Sequence, residues 1–368
     1  MIRAVQPQGI GISAIATHEP PWVLGNDWFA DVLPRKFVQH TGIQSRHVST
    51  EDEVTMGVRA VENLRSQAGC DLRDCVAVVF ASPSFIHSTV ARKFLDERRV
   101  QDERTQRAAE DFSRRIGVVS NHVYGINWGC SGYGKALSIV RRHVVPWVGL
   151  QPDQFILVAT VSRISRITDY ASKQTGALFG DLAAVTLLAR TDSAKYPVHF
   201  SLIYSGATMQ PADGVYFDYH LQDNALLPTP DGGKSYAPRR LVFSLDGLGI
   251  GDAAPRAMAS ATAKALRAAR IAPADVQFVV PHQAGTGIVR LTAMKLEEIG
   301  LRGQVINGMT SEVGNISACS VPYALAKAWR QLRGTIVCPM AGVGKPGDAK
   351  VSQGCAVLRA TELHQRSA

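Results

Sequence analysis

The sequence predicts an α/β protein with buried sheets. Three observations carry this. Short apolar runs of strand length recur at 76–81, 155–161 and 183–188. Stretches with helical character stand beside them at 55–67, 135–144, 256–269, 288–299 and 320–332. The strand-like runs are nearly continuous in apolar residues instead of alternating, as expected of strands covered on both faces by helices.

Taken in order, 55–67 reads as a helix leading into the buried strand at 76–81. The segment 92–115 is crowded with Arg, Lys, Asp and Glu of mixed sign three and four residues apart, the pattern of a solvated helix. An extended run from His122 reaches the small-residue turn Gly129-Cys130-Ser131-Gly132, and the helix 135–144 follows. Strands are expected at 155–161 and 183–188. The stretch 206–240, rich in Gly, Pro, Asp and Asn, reads as loops and a seam between two halves. Helix 256–269, the strand-like run 276–280, helix 288–299 (stopped by Gly300) and helix 320–332 complete the chain. Each half holds one small-residue turn before a helix, at Cys130 and at Ile316-Ser317-Ala318-Cys319-Ser320, a hint of internal duplication.

Composition narrows the function. The 368 residues include 46% apolar and 19% charged residues, an ordinary globular balance. No run approaches the ~20 apolar residues of a membrane span, and the N-terminus has no basic region followed by an apolar one, so no signal peptide is expected. Six cysteines (70, 75, 130, 319, 338 and 355) show no zinc-finger spacing and no disulfide framework; they read as reduced thiols in a cytoplasmic setting. The formal net charge of +9 suits an anionic cofactor or an acidic protein partner. No nucleic-acid module or basic tail is visible, so nucleic acid is not expected as partner. Gly247-Leu-Gly-Ile-Gly251 lacks dinucleotide-fingerprint spacing, and no metal-binding motif occurs.

Three polar residues stand out in apolar settings: Cys130, His282 in Val-Val-Pro-His-Gln-Ala-Gly, and Asn315 in Glu-Val-Gly-Asn-Ile-Ser-Ala. A cysteine at a strand-to-helix junction sits at a helix N-terminus, a setting expected to lower its thiol pKa from about 8.5 towards 7. Taken singly, Cys130 fits a structural thiol, His282 a satisfied core imidazole and Asn315 a left-handed turn. Together they suggest thioester chemistry.

The blocks Gly129-Cys130-Ser131-Gly132, Pro281-His282-Gln283-Ala284 and Gly314-Asn315-Ile-Ser317-Ala-Cys-Ser320-Val-Pro322 occur in that order. So do Thr41-Gly42-Ile43-Gln-Ser-Arg46-His47, Leu178-Phe179-Gly180-Asp181 and Ala341-Gly342-Val343-Gly344. The chain thereby resembles the thiolase-like condensing enzymes, above all β-ketoacyl-acyl-carrier-protein synthase III. The resemblance implies a thiolase-like fold of two duplicated α-β-α-β-α halves. The halves are expected at 1–195, carrying the cysteine, and 196–368, carrying the histidine and asparagine. The charged segment near 92–115 is expected to be an insertion that alters access or partner choice.

The resemblance also implies a division of labour. Cys130 takes an acyl group from a thioester, with the backbone N–H groups of Cys130 and Gly344 as oxyanion hole. His282 and Asn315 stabilise the enolate left when a malonyl-type thioester loses CO2. Attack on the acyl-cysteine then gives a β-ketoacyl product, in fatty-acid-like or secondary-metabolite biosynthesis. Lys36, His40 and Arg166 stand where relatives hold coenzyme A, matching that pattern only in part, so acyl-CoA and an acyl carrier protein both remain open as donors. No permanently bound cofactor or metal is implied, and the assembly is expected to be a homodimer. Two alternatives stay open: an acyltransferase of the same fold acting on a hydroxyl or amine without decarboxylation, and a non-catalytic partner subunit.

Overall fold

The computed structural model describes residues 9–85, 97–344, 347 and 349–367. Residues 92–96 of the charged segment, and Lys345, Pro346 and Asp348 of the late glycine loop, lie outside them. The first part of the chain forms β1 (Ile10–His18), β2 (Trp22–Gly25), α1 (Phe37–Thr41), β3 (Ser45–Val48), α2 (Glu53–Ala68), β4 (Cys75–Ala81) and α3 (Glu97–Arg115). There follow β5 (Val123–Ile126), α4 (Gly132–Ile139), α5 (Val145–Val148), β6 (Phe155–Arg163) and β7 (Asp181–Arg190). The second part forms β8 (Phe200–Pro211), β9 (Phe217–Pro228), β10 (Lys234–Leu245), α6 (Gly247–Ala269), β11 (Phe278–Val279), α7 (Thr286–Glu297) and β12 (Gln304–Val305). It closes with α8 (Ser320–Lys327), β13 (Thr335–Val343), β14 (Lys350–Ala360) and α9 (Glu362–Ser367).

Ten strands pair in the order β12-β11-β13-β14-β8-β1-β7-β6-β4-β5. From one edge, β5, β4 and β6 run parallel, and β7 and β1 each reverse direction. From the other edge β12, β11 and β13 run parallel, and β14 and β8 each reverse. The two sets join where β1 meets β8 antiparallel. The same sequence of directions read inward from both edges is the duplication expected of a thiolase-like fold.

Strand side chains alternate between faces, and the core divides accordingly. Val78, Phe80, Leu157 and Ala159 pack with α2 and α3. Val279, Val337 and Val357 pack with α6 and α7. Ala77, Val79, Val158, Ile336 and Cys338 share a third cluster with Tyr133 and Leu137 of α4 and Val321 and Leu325 of α8. Helices α4 and α8 are therefore the middle layer between the two halves. Each is entered through a 3-10 turn, Gly129–Ser131 and Ser317–Cys319. The two turns touch: a Cβ on Gly132 would lie 3.1 Å from that of Ala318.

Three expectations are corrected. The stretch 206–240 is not loop. It contains the end of β8 and most of the hairpin β9–β10, in register from Phe217 opposite Leu245 to Pro228 opposite Lys234. Asp213, Gly214, Pro230, Asp231, Gly232 and Gly233 fill the turns on either side of β9, and Asp218, Asp223 and Pro238 interrupt the strands themselves, which masked the apolar alternation Phe217, Tyr219, Leu221 and Leu241, Phe243, Leu245. Nor is the charged segment merely a solvated helix. Helix α3 is the crossover between the parallel strands β4 and β5, and its Ala108, Ala109 and Phe112 are core residues beside α2. From Arg104 onward its charged side chains are exposed or half-exposed, and Asp111 pairs with Arg114 and with Arg115 at 2.8 Å. Helix α6 also starts earlier than its pattern suggested: Asp246 caps it by accepting from Leu248 N at 3.0 Å.

Candidate active site

Cys130, His282 and Asn315 line one cavity of about 1480 Å³. Cys130 reaches it because β5 ends at Ile126 and the chain turns through Gly129, whose φ of 51° lies in the left-handed region that favours glycine. The turn is held from behind, where the Ser131 and Ser352 hydroxyls lie 3.1 Å apart. Gly342 of β13 presses on it from the other side: a Cβ there would come within 2.8 Å of Cys130 Cβ and 2.9 Å of its N.

The expected acidic thiol is corrected. Burial is the largest influence on the Cys130 thiol and pushes it above the ordinary range. The Ser317 hydroxyl, donating to Sγ at 3.4 Å, opposes this.

Asn315 lies in a turn built jointly by both halves. Its N donates to Leu178 O at 2.9 Å, and Gly180 N donates to its carbonyl at 3.2 Å. The block 178–181 thus braces the asparagine. Asp181 anchors that block, accepting from Ser49 N at 2.8 Å and Ser165 N at 3.0 Å; burial raises its carboxyl to about 6. Ser317, a non-glycine residue at φ 49°, donates its N–H to Asn315 Oδ1 at 3.0 Å. A backbone N–H needs an oxygen opposite it, so this bond assigns the amide orientation and leaves the Asn315 NH2 as the group free to serve the cavity.

His282 is buried, and burial alone lowers its imidazole to about 4, so the ring is neutral. Its Nδ1 lies 2.6 Å from Ser320 Oγ, which accepts from Gln283 N at 3.3 Å. A serine hydroxyl that accepts from the backbone can still either donate to Nδ1 or accept from it; when it donates, the ring proton sits on Nε2. The site then presents a thiol and two neutral donors.

The other expected positions fare differently. Gly344 N donates to Lys350 O at 2.8 Å, so the expected Gly344 oxyanion donor is already engaged. Arg166 does not line the cavity; its Nη1 pairs with the buried Glu53 at 3.0 Å. Lys36 is exposed beside α1 and also outside the lining, whereas His40 lines it. The cations that do line it, Lys135, Lys173, Arg290 and Lys350, were not singled out from sequence, because no local pattern separates them from other surface charges. Ser317 and Ser320 were legible only as letters of the block around Asn315. The hairpin contributes Phe217, Tyr219 and Phe243 to an apolar wall. All six cysteines are free thiols. Among the described residues no cluster of three or more His, Cys, Asp or Glu could hold a metal ion, and no helix is long and apolar enough to cross a membrane.

Comparisons with known proteins point to one family. Residues 124–206 match the 3-oxoacyl-[acyl-carrier-protein] synthase III family, and residues 266–346 match the C-terminal family of the same enzymes. A β-ketoacyl-[acyl-carrier-protein] synthase III from Oleidesulfovibrio alaskensis is 26% identical over 320 residues, covering 86% of this chain and 89% of the relative. One from Rhodospirillum centenum is 27% identical, covering 89% and 93%. Among solved structures, 3-oxoacyl-(acyl carrier protein) synthase III of Pseudomonas aeruginosa superposes with a TM-score of 0.70 at 23% identity, covering 96% of this chain and 99% of that one. The priming β-ketosynthase of the R1128 polyketide pathway superposes at 0.69 with 20% identity, covering 98% of each.

Proposed function

The chain is a β-ketoacyl-acyl-carrier-protein synthase III-like condensing enzyme of the thiolase-like fold, and from that premise we propose that it acts through Cys130, His282 and Asn315. Cys130 Sγ attacks an acyl thioester. A new C–S bond forms, the bond to the carrier sulfur breaks, and the Sγ proton leaves with the carrier thiol. Cys130 N–H is one oxyanion donor. For the second we propose Val343 N–H in place of Gly344. Donors alternate along an antiparallel strand, so with Gly344 N–H on Lys350 O, the Val343 N–H faces away from β14.

The extender then binds as a malonyl-type thioester. Its C–CO2 bond breaks and the electron pair passes to the thioester oxygen. His282 Nε2–H and the Asn315 NH2 hold that enolate oxygen; neutral donors suit a charge that exists only transiently. The enolate carbon attacks the acyl carbonyl, and Cys130 departs as the thiolate. The observation carrying this reading is the convergence of a thiol, a neutral imidazole and an oriented carboxamide on one cavity.

The same reading sets the surroundings. The donor is an acyl-CoA or an acyl carrier protein, and the +9 charge favours encounter with an acidic carrier. His40, Lys173 and Arg290 on the cavity wall suit its phosphate-bearing arm. No permanently bound cofactor takes part. We divide the halves at 195/196, in the connection from β7 to β8. A homodimer is favoured by β5, an edge strand with half-exposed residues throughout. Buried reduced thiols favour the cytoplasm.

The test is intact-protein mass spectrometry after exposure to acyl-CoAs and acyl carriers, with Cys130→Ala as control, followed by mass-resolved CO2 release from malonyl carrier. Acyl mass on Cys130 and CO2 on condensation are expected. Acyl transfer without CO2 would defeat the condensing reading, and failure of every thioester to load would defeat catalysis altogether.

A further inference from the structure

Among the polar groups of the cavity that the proposed chemistry does not use, two stand together. Trp128 precedes Cys130 by two residues and Lys135 follows it by five, and both line the cavity. Lys135 Nζ sits 4.5 Å from the centre of the Trp128 indole. The indole Nε1–H is buried and has no hydrogen-bond partner among the described residues. Lys135 is half-buried, and the influences on its ammonium are burial and the Arg142 guanidinium; no described carboxylate acts on it.

The indole face offsets part of the cost of burying the ammonium, but among the described residues the indole N–H has no acceptor and the ammonium no counter-ion, and both omissions are destabilising. Both groups donate and neither accepts. Side by side on a cavity wall, they suit a ligand group that is anionic and accepts through two atoms, which describes a carboxylate. The extender's carboxylate is the wrong one. It leaves as neutral CO2, so a cation holding it stabilises the ground state more than the transition state and slows the step. The acyl donor is the remaining occupant of the same cavity.

We propose that the acyl group accepted by Cys130 carries a distal carboxylate, as in the monothioester of a dicarboxylic acid, and that Lys135 Nζ and Trp128 Nε1 hold it. This rests on the reading of Cys130 as the acyl-bearing nucleophile. Loading is otherwise unchanged: the Sγ–C bond forms, the carrier C–S bond breaks, and the distal carboxylate stays ionised.

The experiment measures single-turnover acyl loading of the full chain by intact mass. Succinyl-, glutaryl- and adipyl-CoA are compared with butyryl-, pentanoyl- and hexanoyl-CoA of equal carbon number. The wild type is run beside Lys135→Met, Lys135→Arg and Trp128→Phe. At least one dicarboxylic thioester should load about tenfold or more faster than its neutral counterpart, as a charged hydrogen bond allows. Lys135→Met should remove that preference while neutral chains load within about threefold of wild type. Lys135→Arg should keep most of it, and Trp128→Phe should reduce it by roughly threefold or more. Equal wild-type loading of both series overturns the proposal. So does a uniform slowing of every CoA thioester in Lys135→Met, which would assign the anion to the carrier phosphate. If neutral thioesters load and the preference is absent, this inference alone fails; if nothing loads, the nucleophile reading fails with it.

Discussion

Replacing Gly342 by alanine tests whether β13 positions the sulfur. Gly342 pairs with Ser352 and does not have a positive φ, so alanine is allowed by its backbone. The obstacle is space: the new methyl would lie 2.8 Å from Cys130 Cβ, 2.9 Å from Cys130 N and 3.2 Å from Sγ. Relaxed carbon contacts sit near ~3.5 Å, so the turn must retreat by about 0.7 Å. Retreat is not free, because the Ser131 hydroxyl is held at 3.1 Å from Ser352 Oγ and Gly129 already uses a left-handed φ. A displacement of about 1 Å in a reacting atom costs ~10²-fold in rate, or roughly 2.7 kcal/mol on the barrier. Overpacking should lower stability by about 1–3 kcal/mol. Acyl loading by intact mass and a thermal melt read the two effects separately. Loading within about threefold of wild type would refute the claim that this strand sets the geometry of the nucleophile.

Three further outcomes follow from the same environment. Because burial raises the Cys130 thiol, iodoacetamide alkylation at Cys130 should keep accelerating up to about pH 9, and Ser317→Ala should slow it by roughly threefold through loss of the Sγ donor; a plateau near neutral pH contradicts this. His282 is held neutral down to about 4, so the native protein binds fewer protons than the unfolded chain between about 4 and 6.5, and the stability this group contributes is lost as pH falls through that window. CO2 release should accordingly stay level from about pH 8 to 5, and His282→Ala should reduce it by about 10²–10³-fold; an inflection near 6.5 would contradict a neutral buried ring. Asp181 is displaced the other way, from 3.8 to about 6, so the native state binds the extra proton and stability falls as pH rises between those values, by at most about 3 kcal/mol. Asp181→Asn should flatten that slope in pH-resolved melts and cost about 1–3 kcal/mol at acid pH by leaving Ser49 N or Ser165 N unpaired; an unchanged slope assigns the titration elsewhere.

What the sequence determined by itself was local or nearly so. Runs such as Val76-Ala-Val-Val-Phe-Ala81 can satisfy their apolar side chains only inside a sheet covered on both faces, and they became β4, β6 and β7. Small residues around Cys130 and Asn315 foretold tight turns before helices, because backbone conformation is a property of a few neighbouring residues. The hairpin β9–β10 was legible in principle, but its alternation was hidden between turn-rich flanks. Only the tertiary structure decided the electrostatics and the partners. The Cys130 thiol is raised because two distant halves enclose it. Gly344 N–H is engaged because β14 returns beside it, and Arg166 is taken by Glu53, which lies far away in the chain. Trp128 and Lys135 became a matched pair only once a helix turn brought the ammonium over the ring. Burial and pairing depend on which surfaces meet, and that is settled by packing of elements remote in sequence, not by the residues on either side.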